Sequence, residues 1–307
     1  MVRTLIVCFS LVSMTTSLFA EAKLVHAPDF VPGQVVHSET ELNIEQTLTI
    51  AGMDVETTNE TFIIMEETVK GVTSDGTVLN GEMKVMQSNI GLPGGQGVNF
   101  DSGDPDAEIQ PGPLAETLKF MKALSGTKWV TTLDKKGLVV SQVYPDEFLS
   151  KVPEMFKSEV SGEQRKIDQK KMIDRLPGKA VAVGDKWERN EEANLGSGQK
   201  FYLVQEFTYD GPVEKGGQTF EKISYVTKSV DFDITGGLVP VEVKETDLKI
   251  GSSTATMLYD PSRKVVTEVD DKMQVVGTLT LIANGTELPS ELDLTMHMKT
   301  KSTSSTK

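Results

Sequence analysis

The sequence predicts a mainly β protein with inserted α structure: an antiparallel curved sheet or half-barrel, made of two pseudo-repeated sheet units around a central helical insertion. Three observations predict it. Apolar residues alternate with polar ones in one run after another, the period of strands with one buried face. Turn-forming residues separate these runs at regular intervals. Helical spacing of apolar residues is confined to the middle of the chain.

Residues 1–22 read as a secretory signal peptide. Arg3 precedes an apolar run from Leu5 that Ser and Thr interrupt, and the small residues Ala20 and Ala22 offer cleavage positions. The run is short for a membrane span, which needs roughly 20 predominantly apolar residues. The expected mature chain therefore has no membrane span and is exported to a periplasmic or extracellular location. Cys8, the only cysteine, lies inside this segment, so the mature chain has no disulfide and no lipobox cysteine.

Residues 23–143 form the first β-rich unit. Leu42, Ile44, Leu48 and Ile50 alternate with polar residues, and SDGT at Ser74–Thr77 and DKKG at Asp134–Gly137 mark turns. Within this unit, near 113–125, Leu114, Leu118, Met121 and Leu124 fall on one face of a helix. Residues 144–178 form the helical insertion. Pro145 suits a helix start, and Pro153 splits the run that begins there. Ser161 with Gln164 has the spacing of a capping box, and Leu176-Pro177-Gly178 ends the last helix. Residues 179–298 form the second β-rich unit. Alternation recurs there at Phe201, Leu203, Phe207 and Tyr209, at Val239, Val241 and Val243, and at Leu292, Leu294, Met296 and Met298. EKGG at Glu214–Gly217 and ANG at Ala283–Gly285 are its turns. Residues 299–307, all Lys, Thr and Ser, carry no apolar pattern and read as a disordered tail.

An ungapped match supports the pseudo-repeat. Thr132–Val143 lies over Leu258–Val269, with Asp134 on Asp260 and Val139 and Val140 on Val265 and Val266. Any two hairpins with acidic turns would share part of this pattern.

Charge and residue types narrow the function classes. A formal net charge of -14 repels phosphate backbones, so nucleic acid is not an expected partner. The densest run of candidate ligands is VNFDSGDPDAE, in which Asp101, Asp104, Asp106 and Glu108 are the weak calcium candidates. Their spacing lacks the D-x-D-x-D-G order of an EF-hand, and Pro105 stiffens the middle. Asp, Ser, Gly and Pro are also the residues of a solvated turn, which is the preferred reading. His26, His37 and His297 show no H-x-x-x-H or H-E-x-x-H spacing, so no transition metal and no cofactor is expected. Ser125-Gly126-Thr127-Lys128 matches S-x-x-K without the partner motifs of that enzyme class. GLPGGQG at Gly91–Gly97 has no G-K-[ST] ending and reads as a flexible loop. No catalytic motif is found, and the chain is read as noncatalytic. Trp129 and Trp187, both at strand starts, are read as core anchors.

The combination LSGTKWVTTLDKKGLVVSQV, LPGKAVAVGDKWERN and FYLVQEFTYDG resembles an uncharacterised family of bacterial envelope proteins, many of them lipoproteins, grouped as a domain of unknown function. The shared elements are an Asp-x-x-Gly turn, a Val-Gly-Asp-x-Trp entry at Val183, Gly184, Asp185 and Trp187, and an aromatic-Asp-Ser step at Phe100, Asp101 and Ser102. The resemblance implies an envelope location and brings no established activity.

The sequence leaves two functional expectations. In the first, helices cover the concave face of a half-barrel, which binds an apolar or lipid-like ligand in the manner of periplasmic lipoprotein carriers. Met121, Met155 and Met172 would suit an adaptable lining, although Met also fills ordinary core gaps. In the second, the chain is a structural or protein-interaction module of the envelope.

Overall fold

The computed structural model describes residues 21–104, 109, 111–112, 114–196, 199–234 and 241–306. A two-residue strand β1 (Ala22–Lys23) precedes three long strands, β2 (Gln34–Ile50), β3 (Met53–Thr73) and β4 (Gly76–Leu92), and a short β5 (Gln96–Asp101). Then come α1 (Ala115–Leu124), β6 (Lys128–Leu133), β7 (Val139–Val143), α2 (Asp146–Lys151) and α3 (Gly162–Asp174). The last elements are β8 (Ala180–Val181), β9 (Lys186–Gly196), β10 (Gln199–Lys215), β11 (Gln218–Ile234), β12 (Val241–Asp260), β13 (Val265–Ala283) and β14 (Thr286–Thr306).

Twelve of these strands form one open, curved antiparallel sheet, ordered β7-β6-β4-β3-β2-β14-β13-β12-β11-β10-β9 with β5 paired to the far half of β4. Strands of 17 to 21 residues reach about 60 Å, far beyond the usual five or six residues. Their turns are those the sequence marks. Asn284 and Gly285, both at positive φ, close the β13–β14 hairpin, where Ala283 faces Thr286. Asp134 Oδ1 accepts from Lys136 N and Leu138 N in the β6–β7 turn, and Asp260 Oδ1 accepts from Ser262 N and Arg263 N in the β12–β13 turn. The two aligned aspartates therefore do the same work. Register shifts at Val204/Gln205 and Tyr209/Gly211 in β10, and three more between β12 and β13, bend the ladder. Between β11 and β12 the ladder is only five pairs long, Glu221–Tyr225 against Ala255–Tyr259. Beyond it one apolar cluster gathers Phe201 and Phe232 from one side and Val275, Leu279 and Leu294 from the other.

Two expectations are corrected. Residues 299–306 of the expected disordered tail are a strand: Lys299–Thr306 continue β14 and pair with Glu41–Gln34 of β2, and Lys307 lies outside the described residues. Hydroxyls replace apolar side chains as the cross-strand contacts there, Thr300 with Thr40 at 3.2 Å and Ser302 with Ser38 at 2.8 Å. Gly91–Gly97 is a hairpin turn between β4 and β5, with Leu92 opposite Gln96 and Gly94 and Gly95 at positive φ. Residues 1–20 of the expected signal lie outside the described residues; Ala22 pairs with Val181.

The helices behave as their sequences indicate. Leu118 and Met121 of α1 pack on Met83 and Met86 of β4 and on Trp129. The second helical stretch breaks at Pro153, leaving α2 and a 3-10 turn over Glu154–Phe156. Ser161 Oγ accepts from Gln164 N at 3.0 Å and caps α3.

Candidate functional site: a trough across the centre of the sheet

The edges of the sheet, β7 and β9, carry unpaired backbone groups, and α3 meets both. Gln169 accepts from Val139 N at 2.6 Å and donates to Gly137 O at 2.7 Å on the β7 side. Lys171 Nζ donates to Glu192 O at 2.8 Å on the β9 side. No residue of α3 is buried, so polar contacts rather than an apolar stripe hold this helix. It acts as a strap across the opening of the sheet and protects both edges.

A buried charged cluster fixes the C-terminal end of the strap. Arg175 donates through Nε and Nη2 to the two oxygens of Glu191 at 3.0 and 2.5 Å. Its guanidinium stands 5.8 Å from the Tyr225 ring, and Tyr225 Oη donates to Asp271 Oδ2 at 2.7 Å. Burial opposes the charge on Arg175, but Tyr225, Glu191 and Asp271 outweigh it and hold its pKa above the ordinary value. Burial pushes the Asp271 carboxyl upward, and the Tyr225 bond and Arg175 only partly offset this. Trp187 Nε1 donates to Arg175 O, and its ring stacks on Phe207 at 5.7 Å. At the other end, Arg165 lies 3.9 Å from Glu67 of β3.

Strand parity puts Glu67, Arg175's partners and the α1 contacts on the same, inner face. Along that face burial is inverted from the usual pattern of a large sheet. The flanks are packed: Phe207, Tyr209, Ile223, Tyr225 and Met257 are fully buried on one side, and Met83, Met86 and Trp129 lie under α1 on the other. The centre is not. β2 has no buried side chain, and β3 has only Val69. Leu42, Ile44, Ile63, Met65, Met296 and Met298 are half-buried on the inner face of β2, β3 and β14. Register places Met298 opposite Leu42, Leu42 opposite Thr61, and Met296 opposite Ile44. Ile44 and Met296 pack at their edges against the Phe201 cluster, Ile63 and Met65 against the cluster under α1, and Met298 against the Tyr225 cluster, whereas Leu42 belongs to none of the five apolar clusters. These side chains form the floor of a trough between the two packed flanks. Hydroxyls and an amide continue it: Thr40 and Thr300, and Thr61, Ser88 and Asn59, which hydrogen-bond to one another.

The sequence candidates fall elsewhere. Asp101 Oδ1 accepts from Gly103 N at 2.7 Å, and its Oδ2 accepts from Gln87 Nε2 at 3.1 Å; Asp104 N closes the same turn on Asp101 O. Asp106 and Glu108 lie outside the described residues. Among the described residues no group of three or more His, Cys, Asp or Glu side chains is placed to hold a metal ion. His297 bonds Asp270 at 2.9 Å on the outer face, and His26 packs beside Gly137. Trp129 and Trp187 are both buried. Met121 packs under the inner face, whereas Met155 and Met172 are exposed. Among the described residues, no helix is long and apolar enough to cross a membrane. Sequence reasoning missed Arg175 and the trough; the alternations Leu42-Ile44 and Met296-Met298 are its traces of the floor.

No family model matches the chain, and no curated protein matches it. Solved structures are similar at a distance. A structure of lipid-protein interactions in lipovitellin is 10% identical with a TM-score of 0.43, covering 91% of this chain and 26% of that one. This chain thus spans about a quarter of the lipovitellin chain. The COG4313 outer membrane channel from Pseudomonas putida F1 is 9% identical with a TM-score of 0.21, covering 92% of this chain and 100% of that one. A DUF1329 family protein from Desulfovibrio piger is 8% identical with a TM-score of 0.13, covering 84% of this chain and 83% of that one. Similarity at this level leaves the chain's role to its own residues.

Proposed function

We propose that the protein is a noncatalytic, exported binder of an apolar, lipid-like ligand, which lies in the trough with its chains on the floor formed by Leu42, Ile44, Ile63, Met65, Met296 and Met298. One observation carries the reading: the apolar side chains on the inner face of the central strands are only half-buried while both flanks are packed. An apolar strip left half-covered within a fold is what a ligand would complete. The expected signal at residues 1–22 would deliver the chain to the envelope, where such ligands reside.

The energetics favour a ligand with two chains. An alkyl chain of about twelve methylenes carries about 10 kcal/mol of transfer free energy at ~0.8 kcal/mol per methylene. A trough that covers roughly half of it recovers about 5 kcal/mol, close to the low end of the ~4–15 kcal/mol cost of association. A single chain would exchange freely, and two would be retained.

Leu42→Asp tests this, with Leu42→Met as control. Titration with a fluorescent long-chain phosphatidylglycerol should saturate with wild type and Leu42→Met and fall at least tenfold in affinity with Leu42→Asp, whose unfolding midpoint should stay near wild type. Equal binding by all three proteins would overturn the assignment of the trough.

A further inference from the structure

The outer face of the same strands carries a second, chemically different feature. The registers of β2, β3, β4 and β5 set Asn43, Glu60, Asn89 and Asn99 directly opposite one another in a row across four strands. Two residues along, Glu41, Phe62, Gln87 and Asp101 form a parallel row. At the usual strand separation each row is about 14 Å long, and the rows are about 7 Å apart. Both rows, with Asp104 at one end, line an open groove of about 620 Å³, which Thr61, Ser88 and Phe100, the residues between the rows, also border.

The chemistry of the groove is selective. Asn43, Asn89 and Asn99 make no side-chain hydrogen bond with another described residue, so three amides in one row are uncommitted. An amide donates and accepts, and a carboxylate accepts, which together match a ligand whose polar groups are hydroxyls. Phe62 adds an apolar patch of the kind that packs against the C–H face of a sugar ring. Glu41, Glu60, Asp101 and Asp104 line the groove with no Lys or Arg, so phosphates, sulfates and uronates are repelled. Among the described residues these carboxylates form no group of three or more that could hold a metal ion.

We propose that this groove binds a neutral polyhydroxylated ligand, a short segment of uncharged oligosaccharide, on the face opposite the lipid trough. The amide row fixes ring hydroxyls, Phe62 supports a ring face, and the carboxylates accept the outward hydroxyl protons. The proposal does not depend on the trough reading, since the two sites use opposite faces of β2 and β3.

The test is isothermal titration of the mature chain, residues 23–307, with maltotetraose, cellotetraose and chitotetraose, and separately with spermidine and calcium. The expected result is millimolar or tighter binding of at least one of the three sugars. It should be lost at least tenfold in the doubly substituted protein Asn43→Ala, Asn89→Ala, with phosphatidylglycerol binding and the unfolding midpoint unchanged. Failure of all three sugars to bind would overturn the proposal. So would sugar binding that survives the double substitution, or binding of spermidine or calcium alone, which would reduce the groove to an acidic surface.

Discussion

Arg175 offers the sharpest test of the strap. Its side chain is 11% exposed and that of Glu191 15%, so Arg175→Met removes one member of a pair that is mostly out of water. The bidentate contact disappears, Glu191 faces the protein without its cation, and Asp271 loses a charge that partly offsets its burial. Breaking a buried pair on one side costs about 3–5 kcal/mol. An exposed pair such as Lys151 with Glu147, at 2.8 Å within one helix, is screened by solvent and contributes far less. Urea unfolding should therefore show a loss of about 3 kcal/mol or more for Arg175→Met and almost none for Lys151→Met. Replacing both partners, Arg175→Met with Glu191→Leu, should restore much of the loss, because an apolar pair of similar volume avoids the desolvation of two charges. Amide exchange in α3 should rise in the single variant before the sheet is affected. A cost below about 1 kcal/mol for Arg175→Met would refute the reasoning, since the guanidinium would then be solvated in a way its surroundings do not indicate.

Three further outcomes are expected. Deleting residues 299–307 should lower stability by roughly 3–9 kcal/mol in urea unfolding, from about half a dozen ladder bonds at ~0.5–1.5 kcal/mol each, whereas a tail free of the fold would leave it unchanged. In Gly81→Ala the new Cβ would stand 2.1 Å from Trp129 Cε2, so the indole must move; a loss of about 1–3 kcal/mol and a shifted tryptophan emission are expected. Burial lowers the pKa of His26, against a smaller opposing effect of its bond to the Gly137 backbone. The unfolded chain then takes up the proton first as pH falls below about 6.5. Stability from this group is fully present above that pH and is lost as pH falls through the folded value. His26→Gln should flatten the fall of the urea midpoint as pH drops below about 6.5.

Much of the fold was legible because local chemistry set it. Asp134, Asn284 and Gly285 determine turns through their own backbone and side-chain bonds, and Pro153 splits a helix wherever it occurs. Ser161 marked the start of α3 by its capping position. The end of β14 was not legible because Thr300 and Ser302 are held by hydroxyl contacts to β2, which leave no apolar alternation to read. Arg175 sits just before Leu176-Pro177-Gly178, where a basic residue at a helix end is ordinary; only the approach of β9, β11 and β13 buries it. The trough could not be read from Leu42 and Ile44, since alternation predicts an inner face but not whether anything covers it. The outer rows depend on the register of four strands, which includes shifts at Ile64/Met65 and Val69/Gly71. Of the acidic run at 101–108, the described members Asp101 and Asp104 border that outer groove.

The trough is most directly tested by native mass spectrometry of the mature chain purified from a secreting host, with solvent extraction of any co-purifying molecule. The account predicts a stoichiometric adduct of lipid mass with two alkyl chains, present on wild type and absent from Leu42→Asp. A clean mass for the bare chain, unchanged after incubation with phosphatidylglycerol and phosphatidylethanolamine vesicles, would contradict it and leave the protein-interaction reading in its place.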